Sequence, residues 1–422
     1  MNVELIITGS ELLLGRTLNT HQHWLCRRLA DLGYVVTRQV TVADTGRDIE
    51  QTVCEALSRA DLVITTGGLG PTSDDVTREF IAKLLDKPLR ENPAVVAHIE
   101  HFFATRKRLM PAHTRVQALV PEGAIVLANS HGTAPGLALE VNPNSFRAGG
   151  AGSWLVMLPG PPRELRPMFN DAVVPLLRRV LPPETEYVCC TLRTSGVPES
   201  VVQEKIGERL RQLVESGLDL GYCARVGQVD VRLAAQGANA RKLVREAEAI
   251  VRHHLGSRVF GEEDDKLETV VVRLLTERKQ TLATAESCTG GLIAHRVTNV
   301  PGASVVFLAG LTTYANTAKQ TFLGVCAQSL ADSGAVSETV AREMAEGVRR
   351  QTGADYALST TGIAGPAGGA PAKPLGTVFI GLATPHTTTV ERNFNPYDRE
   401  TFKQVTANQA LELLRRVIMR SG

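Results

Sequence analysis

The chain has 422 residues, 43% hydrophobic and 21% charged, with 46 basic against 44 acidic side chains and a net charge of +2. That balance excludes a disordered or collagen-like chain, and it argues against a protein that binds nucleic acid by neutralising phosphates. At roughly 150 residues per domain the length predicts two or three domains, because single cores stop growing beyond roughly 250–300 residues.

In chain order, Val3–Thr8 reads as a first strand with no basic stretch before it, so no secretory signal is expected. Thr20–Leu32 carries helical apolar spacing (Trp24, Leu25, Leu29, Leu32) and stops at Gly33. Tyr34–Val42 reads as a strand, Ile49–Ser58 as a helix, and Asp61–Thr66 as a strand running into Gly67-Gly68. This alternation predicts crossover units and a mostly parallel sheet covered on both faces. Arg106-Lys107-Arg108 reads as a solvated helix end; His21 and His23, two apart on a helix, do not face each other and make no metal pair, and His98/His101 read as residues of a solvated helix face. Asn142–Ser153 reads as an insertion before the strand Trp154–Leu158 and the turn Pro159-Gly160-Pro161-Pro162.

The composition changes near Pro182-Pro183-Glu184. Strands Tyr187–Thr194 and Gln228–Ala235, with helical stretches Pro198–Glu215 and Ala238–His254, predict a small α+β module. The charged break Gly261–Asp265 ends it. Beyond lie helices Leu267–Thr276, Gly291–Thr298 and Glu400–Arg416, and strands Thr281–Ala285, Val305–Thr313, Ala354–Thr360 and Gly376–Ala383. The seven cysteines are scattered and form no C-x-x-C, so neither a disulfide framework nor a zinc site is expected. No run approaches the roughly 18 apolar residues of a membrane span. A cytoplasmic enzyme is the default expectation.

The sharpest chemistry lies in Ala285-Glu286-Ser287-Cys288-Thr289-Gly290-Gly291, where a strand meets small residues and then a helix. Such a turn offers backbone N–H groups to negative charge, and Ser287 beside them suits attack on a carbonyl. The nucleophile needs a base, and Lys319 in Tyr314–Lys319 is the candidate, with Tyr314 as helper; burial would have to lower its pKa. The plainer alternative makes Ser287 a helix cap and Lys319 a solvated side chain. Cys288 is a second candidate nucleophile. Thr360–Gly369 and Lys373–Thr377 form a Gly-rich loop suited to phosphate or to an ordinary surface turn.

At the front, Thr65–Thr77 holds Gly67, Gly68, Gly70 and Thr72 for close anion approach, and the pair Asp74 and Asp75 for a hard divalent cation or a helix cap. Asn129, Gly132, Pro159 and Gly160 belong to further loops expected at strand ends. There is no G-x-G-x-x-G for a dinucleotide and no Walker loop.

Together these segments resemble the competence/damage-inducible protein A (CinA) family over nearly the whole chain. ESCTGG (Glu286–Gly291), YANTAK (Tyr314–Lys319), GAVSE (Gly334–Glu338) and TGIAGPAGG (Thr361–Gly369) are similar to the nicotinamide mononucleotide (NMN) deamidase domain. GSELLLG (Gly9–Gly15), TTGGLGPTSDD (Thr65–Asp75) and GTAPG (Gly132–Gly136) resemble the molybdopterin-binding-like fold, associated in this family with metal-dependent ADP-ribose pyrophosphatase activity. The middle block resembles a KH-like module. The resemblance implies an α/β protein: a three-layer molybdopterin-binding-like domain over 1–170, a KH-like α+β module over 183–260, and an α/β amidase domain over 262–422. It implies Ser287 as nucleophile, Lys319 as general base and Tyr314 assisting, and an oxyanion site at Thr289, Gly290 and Gly291. Thr361, Gly365 and Arg399 would contact ligand. The deamidase would need no cofactor, and the front half a divalent metal. The expected partners are NMN and ADP-ribose, with no nucleic acid and no membrane, in a homodimer. A pterin-binding protein and a non-enzymatic nucleotide-sensing adaptor are the rival readings.

Overall fold

A computed structural model describes residues 1–183 and 185–420. Glu184 in the expected break, and the last two residues of the 262–422 expectation, lie outside the described residues. The chain divides into two compact units, Met1–Val188 and Cys189–Gly422.

The first unit contains β1 (Val3–Thr8), β2 (Val36–Val42), β3 (Leu62–Thr66), β4 (Leu89–Glu91), β5 (Leu119–Pro121), β6 (Ile125–Leu127), β7 (Gly136–Val141) and β8 (Ser153–Leu158). Six of them form one sheet in the order β2-β1-β3-β8-β7-β6, while β4 and β5 pair separately. The strands β2, β1, β3 and β8 are parallel, as the alternating pattern predicts. The edge departs from it: β7 runs antiparallel to β8, and β6 antiparallel to β7. An antiparallel neighbour needs only a short connection and leaves no crossover helix to read. The segment that reads as an insertion is the β7–β8 connection. It is tied down by Asn144 Nδ2, which donates to the Leu57 carbonyl and Ser153 Oγ at 2.8 Å each, and by the Arg147–Asp61 ion pair at 2.7 Å.

Every residue of β1 is buried, yet its side chains still alternate between two cores. Val3, Leu5 and Ile7 pack with Leu25, Leu29 and Leu165 on one face, and Ile6 with Ile49, Val53 and Ile81 on the other.

The second unit opens with β9 (Tyr187–Ser195), β10 (Leu218–Arg225), β11 (Gln228–Gln236) and β12 (Val259–Glu262), in the order β10-β11-β9-β12. With helices Glu199–Glu215 and Ala240–Leu255 this is a β-α-β-β-α-β module. The sequence reading misses β10, whose Asp219 and Gly221 are poor strand formers; a continuous antiparallel ladder with β11 holds it.

The rest is a second sheet of β13 (Leu282–Glu286), β14 (Phe307–Thr312), β15 (Tyr356–Gly362), β16 (Thr377–Ala383) and β17 (Thr388–Phe394), in the order β14-β13-β15-β16-β17. The first three are parallel, and β16 and β17 form an antiparallel edge. Helices Leu267–Arg278 and Arg399–Arg420 contribute to the core on one face, and helix Glu338–Thr352 to that on the other. The parallel register pairs Glu286 with both Thr312 and Thr360. The carboxyl ends of β14, β13 and β15 therefore lie side by side, and the three conspicuous C-terminal motifs emerge on one edge.

Candidate active site

Ser287 follows β13 directly. Its amide donates to the Thr360 carbonyl at 2.9 Å, so the residue is held by the neighbouring strand as well as by its own. The chain then reverses through Gly290 (φ 62°) and Gly291 (φ 89°), backbone that a side chain would strain. The Gly290 amide donates to the Ser287 carbonyl at 3.1 Å, and the Thr289 and Thr360 hydroxyls share a hydrogen bond of 2.7 Å. Glu286, only 1% exposed, turns its carboxylate onto the start of helix Leu292–Thr298. There it accepts from the amides of Ile293 at 3.1 Å and Ala294 at 2.8 Å. The negative charge favoured at this helix start is thus supplied by the protein itself.

Lys319 lies in helix Asn316–Leu323 and is 1% exposed, not solvated. Its Nζ is 3.1 Å from Ser287 Oγ, 2.9 Å from the Thr313 carbonyl and 3.1 Å from the Tyr314 carbonyl. Thr313 is anchored in turn by its amide on the Glu286 carbonyl at 2.9 Å. Burial holds the Lys319 pKa below its ordinary value, with Cys288 acting in the opposite sense. Cys288 itself is buried and its thiol is pushed up to about 12, chiefly by desolvation. It is therefore a protonated core side chain at neutral pH.

Tyr314 contributes its backbone to this cluster rather than its ring. Its side chain is exposed, and its hydroxyl meets the Arg399 guanidinium, which also donates to the Gly365 carbonyl at 2.7 Å. Arg399, Tyr314 and Gly365 thus form one group beside the Ser287–Lys319 pair. Thr361 is buried, and its hydroxyl donates to the Ala335 carbonyl at 2.8 Å, tying the GAVSE segment to the strand end. Ser337 of that segment caps helix Glu338–Thr352 by accepting from the Val340 amide at 3.3 Å.

The first unit repeats the arrangement at the carboxyl edge of its own sheet. Gly67 (φ 98°) and Gly68 (φ 68°) follow β3, and a methyl group built on Gly160 would lie 3.7 Å from Gly67 Cα. Pro159 and Gly160 follow β8. Asn129 and Gly132 join them through Glu164, which the sequence reading left out of the site. Its carboxylate accepts from Asn129 Nδ2 at 2.8 Å and fills the space where a Gly132 side chain would be. His98 is not a solvated face residue: its Nε2 meets the Gly132 carbonyl at 3.0 Å.

Asp75 packs against Gly70, and its Oδ2 accepts from the amide of Thr72 at 3.0 Å and from the Thr72 hydroxyl. Among the described residues no group of three or more His, Cys, Asp or Glu side chains could hold a metal ion. Asp74 and Asp75 make no all-protein cage, and two carboxylates are what a magnesium ion shared with substrate phosphates commonly uses.

Fold and edge sites define a modular α/β protein with a buried Lys319 set against Ser287 at the sheet edge of its last domain. Three family models match in tandem: "Probable molybdopterin binding domain" over residues 4–179, "Damage-inducible protein CinA KH domain" over 190–261 and "CinA C-terminal domain" over 264–418. A CinA-like protein of Akkermansia muciniphila is 42% identical over 412 residues, covering 97% of this chain and 96% of its own. One of Gemmatimonas aurantiaca is 40% identical over 427 residues, covering 100% and 97%. The chain belongs to the CinA family. Among solved structures, the competence/damage inducible protein CihA of Agrobacterium tumefaciens is 37% identical and covers 35% of this chain and 91% of its own, with a TM-score of 0.35. Among the described residues no helix is long and apolar enough to cross a membrane.

Proposed function

We propose that the C-terminal domain hydrolyses the carboxamide of NMN to nicotinate mononucleotide and ammonia. The observation that carries this reading is the 3.1 Å separation of Lys319 Nζ and Ser287 Oγ, with Lys319 almost wholly buried. A neutral amine has two N–H donors and one lone pair. The carbonyls of Thr313 and Tyr314 accept the two donors, which leaves the lone pair for the Ser287 hydroxyl proton. Lys319 is thus suited to act as general base in the form that its burial favours.

Ser287 Oγ attacks the carboxamide carbon as its proton passes to Lys319. The resulting ammonium returns a proton to the leaving nitrogen, and ammonia departs. Water, deprotonated by the same amine, then cleaves the acyl-enzyme and restores Ser287. The Gly290 amide is already used by the Ser287 carbonyl, so oxyanion stabilisation falls to the amides of Thr289 and Gly291. Incubation with NMN should yield ammonia and nicotinate mononucleotide in equal amounts, and Ser287→Ala should yield neither. Absence of ammonia with the native chain, or full activity in Ser287→Ala, sinks the reading.

For the Met1–Val188 unit we propose ADP-ribose as the ligand of the loops around Gly67, Gly160 and Asn129. What supports it is the convergence of these loops on one sheet edge. Release of AMP from ADP-ribose, assayed with and without added magnesium, tests it. Unchanged release in Asp75→Asn would remove Asp75 from the site.

A further inference from the structure

Two cations lie one helical turn apart at the start of helix Arg399–Arg420, Arg399 and Lys403, and residues four apart share a helix face. Arg399 is already engaged by the Gly365 carbonyl and the Tyr314 hydroxyl. Lys403 is different. It is half-buried, and no hydrogen bond or ion pair of its ammonium is found among the described residues. A methyl group built on Gly290 would lie 3.5 Å from Lys403 Nζ and 3.8 Å from its Cε, so the ammonium stands against the turn that follows Ser287. Gly290 itself is exposed.

The nearby carboxylates have other tasks. Asp398 accepts from the amides of Glu400 at 3.0 Å and Thr401 at 3.1 Å, and Glu286 from those of Ile293 and Ala294. Glu400 is exposed and meets Gln404 at 3.4 Å. An ammonium with no counter-charge of its own is available to an anionic ligand that supplies one, and such charge-assisted hydrogen bonds are the strong ones.

We propose that Lys403, rather than Arg399, is the cation that receives the phosphate of the substrate. It acts as a specificity residue that separates a nucleotide from its nucleoside at the Ser287 site. The inference rests on the NMN reading, because it assigns the phosphomonoester of that substrate. Arg399 then becomes a positioning residue, holding Tyr314 and the Gly365 loop. Gly290, without a side chain, leaves the phosphate an open approach to Lys403.

The test compares NMN with nicotinamide riboside, the same molecule lacking the phosphate. In the native chain kcat/KM should favour NMN. In Lys403→Ala that preference should fall about 10- to 100-fold, mainly through KM for NMN, and Lys403→Arg should restore much of it. A preference unchanged in Lys403→Ala overturns the proposal, as does an equal loss on both substrates, the mark of a structural role. A binding arm keeps the two readings apart. In a Ser287→Ala background, calorimetry should give tighter NMN than riboside binding, and Lys403→Ala should erase the difference. Phosphate-dependent binding without ammonia release in the native chain would end the amidase reading and leave Lys403 standing. Equal affinities for the two ligands, or binding of neither, would overturn the assignment to Lys403.

Discussion

Lys319 puts the proposed chemistry and the stability of the fold on one titration. Its pKa is lowered by burial, so over the interval between that value and the usual lysine value of about 10.4 the unfolded chain carries more protons than the folded one. Stability relative to Lys319→Met should therefore rise with pH through that interval, and the cost of the buried ammonium should be fully present below it. Urea midpoints of both proteins across the alkaline range measure this, and parallel curves would contradict it. The rate should follow the same sense. Only the neutral amine can accept the Ser287 proton, so kcat/KM for NMN should climb with pH up to the lowered Lys319 pKa and level off above it, and a rate that falls as pH rises through that value would exclude Lys319 as the base. Lys319→Met should lose about 10²- to 10⁴-fold in activity. Cys288 gives the contrast: with its thiol pushed up to about 12 it stays protonated. Cys288→Ala should release ammonia within a few-fold of the native rate. The sequence contains Ser287 and Lys319, 32 positions apart, but nothing in it states that Lys319 is buried. Nor does the YANTAK motif reveal that Tyr314 lends its carbonyl to Lys319 and its hydroxyl to Arg399.

At the scale of elements, the seven-residue helix Leu292–Thr298 is too short to stand on propensity alone and is held by the Glu286 carboxylate at its start. Glu286→Ala should leave two amides without that acceptor and cost about 1–3 kcal/mol in urea unfolding, with a loss of activity because Ser287 is the next residue. Glu286→Gln, which keeps an acceptor, should cost less; equal costs would deny the capping role. Helix Glu338–Thr352 approaches its neighbour closely, so that a methyl group on Gly347 would meet the Leu323 carbonyl at 2.0 Å. Gly347→Ala should lower stability by about 1–3 kcal/mol, or more, measured by the same midpoints. The elements legible in the sequence are those with their own periodicity or a glycine stop, such as β1, β3, β13 and helix Thr20–Asp31. Of those missed, the strands β6, β7, β10 and β17 depend on an antiparallel neighbour and carry short or interrupted patterns, whereas helices Pro93–Thr105 and Glu338–Thr352 carry helical spacing that the sequence reading passes over.

For the whole molecule, balanced charge is consistent with ligands held by loops and strand ends rather than by a basic surface. The KH-like module also lacks G-x-x-G, the loop with which KH domains clamp nucleic acid. The homodimer expected from the family is proposed to use the edge strand β14, where Leu308 is 47% exposed and Val305, just before the strand, 70%. Light scattering should give twice the chain mass, and Leu308→Lys should give the monomer. A native monomer, or a dimer untouched by Leu308→Lys, would remove that surface. By itself the sequence determined the buried strands, the small-residue loops after them and the family, because these rest on local periodicity and contiguous motifs. Tertiary structure alone decided which distant groups meet: Lys319 at Ser287, Arg399 at Tyr314, Lys403 at Gly290. The parallel register of β14, β13 and β15 brings their ends to one edge, and the burial created there sets the protonation of Lys319.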